Sequence, residues 1–130
     1  MKIIRDNDNG FHFQDSNINL EKIIHYIEND KFEIALSELN LLIEREKDYS
    51  DAYVFRFLTN MYLLKFEDAA IDLLTGFWLE KNKKFINPKY FMADVVREFW
   101  YSNSSHDSRY GLKKALQNLE NESSKLKIIK

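Results

Sequence analysis

Shifted along itself by 34 residues, the chain matches itself. Ser16 falls on Ser50, Lys31-Phe32-Glu33 on Lys65-Phe66-Glu67, Ala35 on Ala69, Leu39 on Leu73 and Glu46-Lys47 on Glu80-Lys81, which makes eight identities. Seven further pairs are apolar on both sides: Ile18/Ala52, Leu20/Val54, Ile23/Phe57, Ile24/Leu58, Ile27/Met61, Leu36/Ala70 and Ile43/Phe77. A period of this length limits the fold sharply. Each repeat is one supersecondary unit that cannot bury its apolar face alone, so successive units must stack to share a core.

The periodicity inside each unit is helical. Leu20, Ile23, Ile24 and Ile27 recur at helical spacing after a cap at Asn19 or Ser16, and this predicts a first helix ending near Glu28. Asn29-Asp30 reads as a turn. A second helix is predicted from Phe32 to Glu46, burying Phe32, Ala35, Leu36, Leu39, Leu42 and Ile43. A third runs to Leu64 from a cap at Ser50 or Asp51, and a fourth spans Glu67 to Glu80. Asn87-Pro88 reads as the start of a fifth helix carrying Tyr90, Phe91, Met92, Val95, Val96, Phe99 and Trp100, since proline is favoured at the first helical position. Tyr101 to Arg109 is polar and reads as a loop, followed by a last helix from Tyr110 to Leu126. There Leu112, Ala115 and Leu119 repeat the earlier spacing, with Leu in place of Phe. One proline and three glycines in 130 residues are too few for an all-β chain, and 15% aromatics are too many for a disordered one.

Over residues 16–83 the chain resembles the tetratricopeptide-repeat family, whose units also span about 34 residues. The resemblance rests on Phe32, Ala35 and Leu39 in one unit and Phe66, Ala69 and Leu73 in the next. Tyr26 and Tyr53 stand where the family's first helix carries large aromatics. The departures are Ile23 and Phe57 at a small-residue position, Lys22 and Arg56 at a leucine position, and Lys47 and Lys81 in place of a proline. The resemblance implies an all-α fold of stacked antiparallel hairpins forming a short right-handed solenoid over residues 16–130. Residues 1–15 form a separate N-terminal segment, either a small β-hairpin about Asn9-Gly10 or a tail.

Chemistry is sparse. There is no cysteine, so disulfides and thiolate metal sites are excluded. Asp6-Asn7-Asp8-Asn9-Gly10 lacks the outer carboxylates of a calcium loop and reads as a turn. His12, His25 and His106 have no second histidine one helical turn away, so no metal site is expected. No Gly-rich phosphate loop exists, and no cofactor is expected. His106, Asp107 and Ser105 are the most enzyme-like group, but adjacency in sequence does not make a catalytic triad. The expectation is a polar connector and no enzyme, with a hydrolase at residues 102–109 as the rival. The N-terminus has no apolar signal region and no run is long enough for a membrane span. Together with the missing cysteine this points to a cytoplasmic protein, bacterial in type.

Residues 1–80 carry 16 acidic against 8 basic side chains, and residues 81–130 carry 5 against 11. The basic end, with Trp78, Trp100 or Tyr101 nearby, could meet nucleic acid, but the acidic part would repel phosphate. A protein partner is the stronger expectation. In the family register the first helices line a concave face, here the apolar set Leu20, Ile24, Ile27, Val54, Leu58, Met61 and Tyr62. These are the predicted partner-binding residues, unless the segment 1–15 or the helices after Pro88 fill that face. Two roles follow: an adaptor or chaperone that holds a peptide, or an immunity-type inhibitor whose acidic part blocks a basic toxin or enzyme. Head-to-tail self-association is a third consequence of the charge split.

Overall fold

The computed structural model describes residues 14–82, 90–102 and 106–121. It is all-α there. Six helices follow in order: α1 Gln14–Glu28, α2 Phe32–Arg45, α3 Ser50–Tyr62, α4 Phe66–Lys81, α5 Met92–Ser102 and α6 His106–Asn121. The expected β-hairpin or tail and the calcium-like cluster within residues 1–13 lie outside the described residues. So do Asn87-Pro88 and Ser105.

The 34-residue period is present in the backbone itself. α1 and α2 are joined through Asp30 and α3 and α4 through Leu64, each at φ 61° in the left-handed region. At both corners the same pair of hydrogen bonds closes the helix end. Lys31 N–H donates to Tyr26 O at 2.8 Å and Asp30 N–H to Ile27 O at 3.1 Å. Lys65 N–H donates to Asn60 O at 2.8 Å and Leu64 N–H to Met61 O at 3.2 Å. This is the Schellman arrangement, which satisfies carbonyls left over at a helix C-terminus. It turns the chain back sharply, so that each pair of helices forms an antiparallel hairpin. Ala35 and Ala69 sit at equivalent places just past the corners, both fully buried, where a larger side chain would push the paired helices apart.

α3 is the centre of the molecule. Of its thirteen residues only Arg56 and Tyr62 keep appreciable exposure. It packs on α2 and α4, and more lightly on α1 and α5. A helix buried on nearly every side must be largely apolar, and α3 is so apart from Ser50, Asp51, Arg56, Thr59 and Asn60. Its start differs from expectation. The N-cap residue is Tyr49, with no side-chain capping bond, and Ser50 and Asp51 lie inside the first turn. Both are buried, and the Asp51 carboxylate accepts a hydrogen bond from Tyr90 N–H at 3.3 Å. The would-be cap thus tethers the chain entering α5.

The last unit departs from the first two. Residues 82–91 separate α4 from α5, against 46–49 between α2 and α3. Tyr90 and Phe91 precede α5 instead of belonging to it. α5 is seated by Phe99, whose ring meets Phe57 edge-on at 6.3 Å and Tyr62 at 5.3 Å between centroids. Met92 fits over Gly76, where a Cβ would overlap its methyl group, and Met92 N–H donates to the Glu80 carboxylate. α6 docks on α4: Leu112, Ala115 and Leu119 are buried, and Gly111 lies flat on the Phe66 ring. The expected loop from Tyr101 to Arg109 is shorter than its polarity suggests. Tyr101 and Ser102 finish α5, and His106 to Arg109 form the first turn of α6.

Candidate functional site

Of the seven residues predicted to line a concave binding face, six are core. Leu20, Ile24, Ile27, Val54, Leu58 and Met61 are all buried, so the face they form is closed by the chain's own packing. Tyr62 keeps partial exposure, with its ring stacked on Phe32 at 4.7 Å and 6° and edge-on to Phe99. Burial, and after it the charge of Asp30, pushes its hydroxyl pKa up to about 12. The register was right about which residues are apolar, but a chain with few units uses that surface for its own cohesion.

Of the hydrolase-like group, Ser105 lies outside the described residues. His106 and Asp107 are both exposed in the first turn of α6, and among the described residues no hydrogen bond joins them. Arg109 is directed elsewhere: Nη2 donates to Trp100 O at 2.6 Å and the guanidinium lies 5.6 Å from the Trp100 ring centroid. It fastens the end of α5 to the start of α6, satisfying a carbonyl that a helix C-terminus leaves open.

Two other places stand out. The first is a cavity of about 300 Å³ where α2, α3 and α4 meet. Each helix supplies one stripe: Leu36 and Asn40 from α2, Arg56 and Asn60 from α3, and Asp68, Ile71 and Asp72 from α4, with Lys65 just before it. Spacings of three and four residues put each set on one helix face. The floor is an ion pair. Arg56 Nε donates to Asp72 Oδ1 and Oδ2 at 3.0 and 2.9 Å, and Nη2 to Oδ1 at 2.7 Å. Asn60 Nδ2 donates to Oδ2 at 3.0 Å, and Arg56 Nη1 donates to Asn40 Oδ1 at 3.2 Å. The guanidinium also lies 5.5 Å from the centroid of the Tyr53 ring.

The Asp72 side chain is 2% exposed and that of Arg56 23%. Burial raises the Asp72 pKa above its ordinary value, although Arg56 and Asn60 pull the other way. For Arg56 burial acts against the charge, but the hydrogen bonds and charge of Asp72 outweigh it and its pKa lies above the ordinary value. With three N–H groups on it, the carboxylate is an anchor and not a base. The arrangement is built to hold.

The second place is an apolar groove of about 370 Å³ between α4 and α5, lined by Phe77, Ala93, Val96, Arg97, Trp100 and Tyr101. Tyr101 is 80% exposed and Phe77 41%. Arg97 reaches Asp94 at 3.3 Å, an exposed pair one turn apart that contributes little stability. Apart from the Arg97 guanidinium and the Tyr101 hydroxyl the lining is apolar, which suits binding. Among the described residues no cluster of histidine and carboxylates could hold a metal, and no helix is long and apolar enough to cross a membrane.

The chain matches no family model, no characterised protein and no solved structure. The cleft had a signal in the sequence. Arg56 and Asn60 are one helical turn apart among the apolar residues of α3, and Asp72 breaks the apolar run from Ala69 to Leu79. Joining these two anomalies would have given the cleft.

Proposed function

We propose that this chain is a tetratricopeptide-like helical-repeat protein that works by binding another protein, as an adaptor or chaperone, through the groove between α4 and α5. The single observation that carries the reading is the composition of that groove. Phe77, Tyr101 and Arg97 face solvent beside the half-buried Trp100, and aromatics and arginine dominate the energetic centres of protein interfaces. Contiguous exposed apolar surface is costly in a monomer and marks a partner site. The repeat architecture is supported by the two matched corners at Asp30 and Leu64 and the matched alanines at 35 and 69. Six of the seven residues predicted between Leu20 and Tyr62 are buried, so a partner could reach those six only by parting the helices.

The test is site-specific photo-crosslinking in the cell of origin, with the reactive group at position 101 and, as control, at exposed Lys22 on α1. A discrete crosslinked protein at 101, lost on Phe77→Asp, supports the groove. Crosslinking at Lys22 alone would favour the second reading, an immunity-type inhibitor. That reading is favoured by the exposed acidic side chains Glu21, Glu28, Asp30, Glu33 and Glu44 on the first hairpin, which would meet a basic toxin or enzyme. Absence of any crosslinked protein at either position would reject both.

A further inference from the structure

A buried ion pair is a poor way to gain stability. Bringing two charges out of water costs more than their attraction returns in many proteins, and an apolar pair of similar volume is often as stable or more so. Arg56 and Asp72 are nonetheless kept at the bottom of an open cavity. The equivalent residues one repeat earlier, Lys22 and Glu38, have the same charges but remain at the surface, exposed and half-buried. A buried charge pair with perturbed titration inside a cleft is the pattern of a binding site.

We propose that the cleft between α2, α3 and α4 binds a small zwitterion of the α-amino acid type. The hydrogen bonds on the floor fix what the cavity can offer. Asn40 turns its carbonyl to Arg56, so its amide N–H groups point the other way. Asn60 turns its amide nitrogen to Asp72, which leaves its carbonyl as an acceptor. Arg56 uses one N–H on each nitrogen and has two more to give. With Lys65, these donors suit a carboxylate. Asp68 and the Asn60 carbonyl suit an ammonium. The lining carries two cations, Arg56 and Lys65, and two carboxylates, Asp68 and Asp72. A lone anion or cation would therefore be attracted by one pair and repelled by the other, whereas a ligand with both charges gains from both. Leu36 and Ile71 form apolar walls for its stem. About 300 Å³ lies at the lower end of small-molecule sites, so the ligand is a single residue and not a long peptide.

The experiment is an NMR titration of the full chain, labelled with nitrogen-15, with a panel of free L-amino acids. Each is taken to about 20 mM, enough to detect millimolar dissociation constants. The controls are the N-acetyl amides of the same residues, which have neither charge, and acetate and methylammonium, which have one each. Saturable shifts at Asn40, Arg56, Asn60 and Asp68 with at least one free amino acid, and none with its N-acetyl amide, are expected. Lys65→Met and Asp68→Asn change exposed residues and leave the floor intact. Each should weaken binding about tenfold, the worth of one charge-assisted hydrogen bond. No saturable shift with any amino acid, equal response to the N-acetyl amide or to acetate, or unchanged affinity in both variants would overturn the proposal.

Discussion

Arg56 and Asp72 lie 16 residues apart and meet edge to edge, with Nη2 of one 2.7 Å from Oδ1 of the other across the α3–α4 interface. Removing one partner strands the other. Asp72→Asn is expected to cost about 3 kcal/mol or more, because it leaves a largely buried guanidinium without its counter-charge. Replacing all three polar groups, as Arg56→Met with Asp72→Leu and Asn60→Leu, should bring stability back to within about 1 kcal/mol of the native chain, since Asn60 also donates to Asp72 and would otherwise be stranded. Urea unfolding of the three proteins checks this. A triple variant as unstable as the single one would mean that the pair stabilises outright.

The two left-handed corners should respond to glycine in the same direction. Left-handed φ costs a side-chain-bearing residue roughly 1–2 kcal/mol, and Leu64 is largely exposed, so Leu64→Gly loses little packing. It should raise stability by about 0.5–1 kcal/mol, less than the full strain because glycine also frees the unfolded chain. Asp30→Gly should act in the same direction but less, because aspartate tolerates left-handed φ better than leucine. Leu64→Val, with a branched Cβ, should lower stability by at least about 1 kcal/mol. Thermal unfolding midpoints measure all three.

How much of this was legible follows residue by residue. Asn29-Asp30 looks like a turn because Asn and Asp tolerate left-handed φ. Leu63-Leu64 does not, and only its place 34 residues after Asp30 betrays it. The helices and their buried faces could be read because period and apolar spacing are local properties. Whether an apolar face is open or covered depends on what else packs there, and that is why the spacing of the set from Leu20 to Tyr62 reads as a groove although six of its residues are buried. Trp100 and Tyr101 were visible as aromatics, but their grouping with Phe77 on α4 required knowing how α5 lies.

The two helical glycines should behave oppositely when changed to alanine. Alanine gains about 1 kcal/mol over glycine within a helix. At Gly76 the new Cβ meets the end of the flexible Met92 side chain, which can move, so the change should be neutral or mildly stabilising. At Gly111 it meets the ring of Phe66, which cannot yield without shifting α6 from α4. Overpacking of that kind costs about 1–3 kcal/mol, so Gly111→Ala should destabilise the chain. Amide exchange should then quicken first in α6.

Glu80 sets a pH dependence. Burial raises its pKa above the ordinary 4.5, the Met92 N–H bond opposes this and Asp94 adds to it. A carboxyl raised on folding binds its proton more tightly in the native state. Its contribution is complete below 4.5 and is lost as pH rises through the folded value. Glu80→Gln keeps an acceptor for Met92 but cannot ionise. It should match the native protein at pH 4 and exceed it increasingly above about pH 5, as followed by denaturant midpoints across that range. An unchanged difference at every pH would show that Glu80 titrates as it does in the unfolded chain.

Because the corners at Asp30 and Leu64 match, the backbone after each of them also matches. Lys31 has φ −94° and ψ 63°, and Lys65 has φ −92° and ψ 72°. The chain leaving Leu64 could therefore re-enter its own sequence at Lys31 without any change of direction. A duplicated stretch from Lys31 to Leu64, inserted after Leu64, would join like to like at both seams. It would add one helix pair between α3 and α4, lengthening the array by a whole unit while leaving α5 and α6 to close the end as they do now.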